Sequence, residues 1–194
     1  MNNLRDIDQP FLVLRDWIDK EKLDWGFLSL NKNAISMLEK NEEKIFWCNL
    51  SRNENAMELL KANPEKISWN SLCINKNAIE LICERLIVFN YCGMSCVEYG
   101  RNLLKNYDET INWGLLCENV NAVELLKKNV NNIYWSSLSK NENAVELLEK
   151  NFEKINWSQL STNENAISLL EKNIEKVDWD NLSCNKNAIH LLEK

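Results

Sequence analysis

Seven cysteines and a single histidine are the side chains in this 194-residue chain best suited to ligate a metal or act as nucleophiles. Three of the thiols, Cys83, Cys92 and Cys96, fall in one stretch, and Cys92-x₃-Cys96 has a spacing found in zinc sites. Zinc also needs a complete set of Cys or His ligands, and this set is incomplete. Cys83 stands apart from the other two, and His190 lies near the far end of the chain. No metal and no other cofactor is therefore expected. Cys73 and Cys117 occupy a place where serine is usual, so they read as small packing residues. An odd number of cysteines at irregular distances fits reduced thiols in the cytoplasm better than a disulfide framework. No nucleophile-plus-base arrangement, Gly-rich phosphate loop or isolated carboxylate pair is visible. The expectation is a protein without catalytic residues, not an enzyme.

Charge narrows the partners. The net charge is -6, and acidic and basic residues are interleaved, as in Glu39-Lys40 and Glu149-Lys150. That pattern belongs to a solvated surface and not to a phosphate-binding one, so no nucleic-acid partner is expected. No apolar run exceeds that of Leu86–Phe89, and the first residues lack a signal-peptide pattern, so no membrane is expected either.

What positions all these residues is a repeat. A large aromatic returns every 22 residues at Trp25, Trp47, Trp69, Tyr91, Trp113, Trp135, Trp157 and Trp179, without insertion or deletion. Counting the aromatic as position 0, the unit reads W-x-x-L-S-x-N-x-N-A-I-x-L-L-E-K-N-x-E-K-I-x, with residues 157–178 as its cleanest copy. A period of this size signals a stacked array. Residues 1–24 match only in part and read as an N-terminal cap helix, and residues 25–194 form the array.

Asn at position 6 (Asn53, Asn75, Asn141, Asn163 and others) suits a helix N-cap. The good helix formers that follow, with apolar residues at positions 9, 10, 12 and 13, predict a short α-helix. Position 16, usually Asn, suits a left-handed helix end and the start of a second segment, and Pro64 follows Asn63 where a first-turn proline belongs. The second segment has apolar groups on two sides, which suits a 3₁₀-like turn. The expected fold is all-α, an α-solenoid of eight repeats, each a short α-helix plus a second short helical segment of 3₁₀ type. The alternative is a strand-plus-helix solenoid resembling leucine-rich repeats, with Ile155-x-Trp157 as the strand. In either form a single unit cannot bury its apolar face, so the units must stack. The Trp row is expected to be the spine of the core.

The fourth copy breaks its own rule between residues 83 and 101. Position 6 becomes Val97, position 8 Tyr99, position 9 Gly100 and position 10 Arg101, while Arg85 replaces the Asn at position 16 of the copy before. Because the length is preserved and Leu103, Leu104 and Ile111 restore the pattern, the stack is expected to continue through it with altered curvature. Tyr99 and Arg101 are candidate contact residues. So are Ile74, Leu115 and Tyr134, apolar groups at positions that are otherwise mostly polar. Phe27, Leu30 and Phe46, also apolar at such positions, are expected to dock the N-terminal cap.

The strings LSTNENAISLLEKNIEKVDW and LSKNENAVELLEKNFEKINW resemble tandem repeats of uncharacterised proteins of giant DNA viruses. The likeness covers residues 25–194 apart from the fourth copy, although the proline that follows each Asn in that family survives here only as Pro64. It implies a viral protein and carries no activity. The expected function is a protein–protein interaction scaffold directed at a host or virion protein. The alternative is an assembly protein that associates with itself through the ends of the stack.

Overall fold

The computed structural model describes residues 18–86 and 111–193. Within them units 1, 2, 5, 6 and 7 are built from the same parts: an α-helix opening on the aromatic, a turn, a second α-helix and a 3₁₀ turn. Unit 7 shows them as Trp157–Ser161, Ile167–Glu171 and Ile174–Lys176. The described residues contain no strand, so the leucine-rich-repeat alternative gives way to an all-α solenoid. A 3₁₀ turn at Lys20–Lys22 keeps the same register ahead of unit 1, and the rest of the expected N-terminal cap helix lies outside the described residues.

Helices this short are far below the length that is stable alone in water, so packing must hold them. First helices stack on first helices, with Trp113–Glu118 against Trp135–Ser139 and Trp135–Ser139 against Trp157–Ser161. The core is a set of rows. Leu50, Leu72, Leu116, Leu138, Leu160 and Leu182 at position 3 are fully buried, as are Leu38, Leu60, Ile82, Leu126, Leu148 and Leu170 at position 13. Each such side chain contributes about 1.5–3 kcal/mol by leaving water. Ala at position 9, buried in every described unit, lets neighbouring backbones approach. The tryptophans are not the spine that the periodicity suggested. Trp69 is buried, but Trp25, Trp47, Trp113, Trp135 and Trp157 are half-buried and Trp179 is exposed. Leucine fills the interior, and tryptophan walls it.

The asparagines do something other than the expected capping. The second helix begins at position 10, after an Ala with no side-chain cap. The position-6 Asn lies before it and, in the described units from the second onward, is buried. Its Oδ1 accepts the N–H two residues on, as Asn163 does from Asn165 at 3.0 Å, closing a local turn. Its Nδ2 donates backwards into the preceding unit: Asn163 to the carbonyls of Ser139 (3.1 Å) and Asn141 (3.0 Å). Asn at position 8 adds a further bond, as Asn165 donates to Glu142 O at 3.1 Å. The same set joins unit 2 to unit 1, unit 3 to unit 2, unit 6 to unit 5 and unit 8 to unit 7. Asn at position 16 is not left-handed either, having φ of -128° at Asn151 and -136° at Asn173. It ends the second helix with its side chain, donating to the carbonyl four residues back (Asn151 to Leu147 at 2.8 Å, Asn173 to Leu169 at 2.8 Å).

The ladder skips one unit. Asn119 of unit 5 donates to Cys73 O (2.9 Å) and Asn75 O (3.0 Å), and Asn121 donates to Lys76 O (2.9 Å). These are the bonds that a unit normally makes to its immediate predecessor, and here the acceptor is unit 3. Continuation of the stack through the fourth copy, expected from its preserved length, is therefore corrected at this face: unit 5 occupies it. Arg85 shows where the chain leaves the repeat path. Without an Asn to end it, the second helix of unit 3 runs from 79 to at least 86, longer than its counterparts Met57–Ala62 and Val145–Glu149.

Candidate interaction surface

Two strips of the stack carry side chains that could recognise a partner. The first lies at the N-terminal edge of the first helices, where position 21 of a unit, leading into the next first helix, meets position 1 of the same unit. Position 21 is the N-cap of the next first helix. Its N–H donates to the position-4 hydroxyl of its own unit, as Asn156 does to Ser139 Oγ and Asp178 to Ser161 Oγ, both at 3.1 Å. That hydroxyl in turn donates to the carbonyl of its own Trp, as Ser139 does to Trp135 O at 2.7 Å. Cysteine substitutes for this serine twice. Tyr134 N–H reaches Cys117 Sγ at 3.4 Å, Cys73 Sγ donates to Trp69 O at 3.3 Å, and burial pushes both thiols above the ordinary range. The packing role expected for these cysteines is the one that they have.

At this edge residue types go in pairs. Asn112 donates to Asn70 Oδ1 at 2.9 Å, Asn156 approaches Ser136 Oγ at 3.4 Å, and the Asp178 carboxylate accepts from Ser158. Where position 21 is aromatic, position 1 is glycine. A Cβ on Gly26 would stand 3.9 Å from Phe46 Cγ, and one on Gly114 would stand 4.0 Å from Tyr134 Cγ. The two aromatics lie over bare backbone and remain exposed, Phe46 by 57% and Tyr134 by 62%. Neither side chain caps its helix, whereas Asp24, Asn112, Asn156 and Asp178 all do. Asp178 is held below the usual carboxylate range mainly by the Asn181 N–H that it accepts, with Ser158 and the Asn181 side chain adding to it.

The second strip runs along the tryptophans. Lys at position 19 lies over the Trp of its own unit: Lys44 over Trp25 at 5.0 Å, Lys66 over Trp47 at 4.6 Å, Lys154 over Trp135 at 5.7 Å and Lys176 over Trp157 at 4.9 Å. In unit 3 Arg85 covers Trp69 at 4.8 Å. Position 17 of the preceding unit sits beside the Trp of unit 7. Phe152 meets Trp157 edge-on, ring centroids 5.3 Å apart, and Lys176 lies 4.2 Å from the Phe152 ring as well. Val130 (46%), Phe152 (37%) and Ile174 (44%) are exposed in consecutive units, and the row ends at Trp179. The sequence pattern hides this row, because an apolar residue at position 17 reads as one of the two apolar sides of the second segment. The signal was present: position 17 is Glu42 in unit 1 and Pro64 in unit 2, which a buried position would not tolerate.

The candidates chosen from sequence are dispersed. Tyr134 is exposed on the first strip, whereas Leu115, from the helix beneath it, is half-buried against the core. Ile74 is exposed at the opposite, C-terminal end of its helix, so it does not join them. Phe27 is 75% exposed. Tyr99, Arg101, Cys92 and Cys96 lie outside the described residues. Cys83 is half-buried in the long second helix of unit 3, and no His, Cys, Asp and Glu cluster of metal-site size occurs among the described residues. Among them, no helix is long and apolar enough to cross a membrane. Comparison with family models, curated proteins and solved structures finds no match for the chain.

Proposed function

We propose that the chain is a non-catalytic scaffold that binds a protein along the tryptophan side of its stack. The observation that carries this reading is the in-register row of exposed apolar groups at Val130, Phe152 and Ile174, alternating with cation-covered tryptophans. Exposed apolar residues in a row, held by rigid elements, are what anchors an interface, whereas scattered ones are ordinary. The flanking Lys154 and Lys176 favour a partner segment with aliphatic anchors and acidic neighbours. By its resemblance the chain is a viral protein, and the partner is then a host or virion protein.

The test is cross-linking capture from a host-cell extract by three proteins: the wild type, F152S/I174S, and I74S/L115S/Y134S. The reading expects proteins held by the wild type to be lost with F152S/I174S and kept with the other set. Capture that survives F152S/I174S refutes the choice of surface. Self-association is favoured by one observation: Asn31, the unit-1 counterpart of the buried ladder asparagines, is exposed. A mass that rises with concentration would select that reading.

A further inference from the structure

We propose that the asparagines at positions 6 and 8 set the register of this stack, and that unit 5 seats on unit 3 because it carries both of them. Every described unit from the second onward donates through an Asn at each of these positions, and the acceptors are always the carbonyls at positions 4, 6 and 7 of the unit beneath. Backbone carbonyls are present whatever the sequence, so any unit can accept. Only a unit with the two asparagines can donate. The fourth copy has Val97 and Tyr99 in their place and cannot satisfy Cys73 O and Asn75 O, which are buried. Unit 5 has Asn119 and Asn121, and it is unit 5 that bonds to unit 3.

One observation that does not involve these asparagines marks the same register. Asn112, at position 21 ahead of unit 5, pairs with Asn70 at position 1 of unit 3, the pairing that positions 21 and 1 make within a unit elsewhere. Arg85 and the overlong helix 79–86 supply the exit. Removing residues 89–110 would join Val88 to Ile111, position 19 to position 20, so the 22-residue count resumes without a gap.

The test uses the full chain with its native cysteines changed to serine and a new pair, N70C/N112C, offered a short bis-maleimide. The proposal expects the 70–112 linked peptide in the full chain and in the Δ89–110 variant, and a single cooperative thermal transition in both. It also expects V97N/Y99N/G100A/R101I, which restores the repeat consensus, to lose the 70–112 link as the fourth copy enters the stack. Absence of the link in the full chain, or loss of the cooperative transition in Δ89–110, overturns the seating of unit 5 on unit 3. A link that persists in the restored variant overturns the asparagines as the register device.

Discussion

At the scale of single residues, asparagine is the side chain on which this protein depends most, because its amide donates and accepts at once. Asn141 shows it: Oδ1 closes a turn with the Asn143 N–H at 3.0 Å, while Nδ2 satisfies Cys117 O at 2.8 Å and Asn119 O at 2.9 Å. Removing the donor leaves two buried carbonyls unpaired. N141A is expected to lower stability by about 2–4 kcal/mol in urea unfolding. C117S, at a neighbouring buried position, is expected to change it by less than about 1 kcal/mol, since serine makes the same two bonds elsewhere in the array. Equal effects of the two substitutions would contradict the ladder. The sequence showed that Asn recurs at position 6 but not why. An N-cap and a cross-unit donor both call for Asn, and only the position of the helix start, four residues later, separates them.

At the scale of elements, each helix is too short to persist alone and is defined by what happens at its ends. Four first helices begin under an Asp or Asn side-chain cap, and second helices that carry Asn at position 16 end on its amide. The cap at Asp178 titrates. Its folded pKa lies below the unfolded one, so the capping contribution is fully present above the ordinary carboxylate range and is lost as pH falls through the folded value. Asn performs the same capping at Asn112 and Asn156. D178N should therefore melt close to the wild type at neutral pH and fall less steeply between roughly pH 5 and pH 2. A steeper fall in D178N would refute the assignment. The existence of the elements was legible from periodicity, and the 3₁₀ turn from its two-sided apolar pattern. The first helix was merged with that turn in the sequence reading, because Ile-x-Trp links them without a glycine or proline to mark the break.

At the scale of the whole molecule, the array is a ladder whose rungs need not follow chain order. Keeping the fourth copy in the stack would leave two buried carbonyls of unit 3 without donors, at about 2–6 kcal/mol, and would set Arg101 where other units have Ile, Val or Met. Unit 5, with Asn119 and Asn121, supplies those donors instead. The period itself hid this outcome, because a copy of unchanged length implies an unbroken stack. The legible sign was the loss of both ladder asparagines in one copy. The apolar row at position 17 was hidden for a related reason: beside tryptophan, an exposed Phe or Ile reads like core.

The most direct test of this account is the set of nuclear Overhauser effects from the side-chain amide protons of Asn119 in the full-length protein. The account predicts cross-peaks to the α-protons of residues 73 and 75, in unit 3. Cross-peaks to residues 95 and 97 of the fourth copy, with none to 73 and 75, would contradict it.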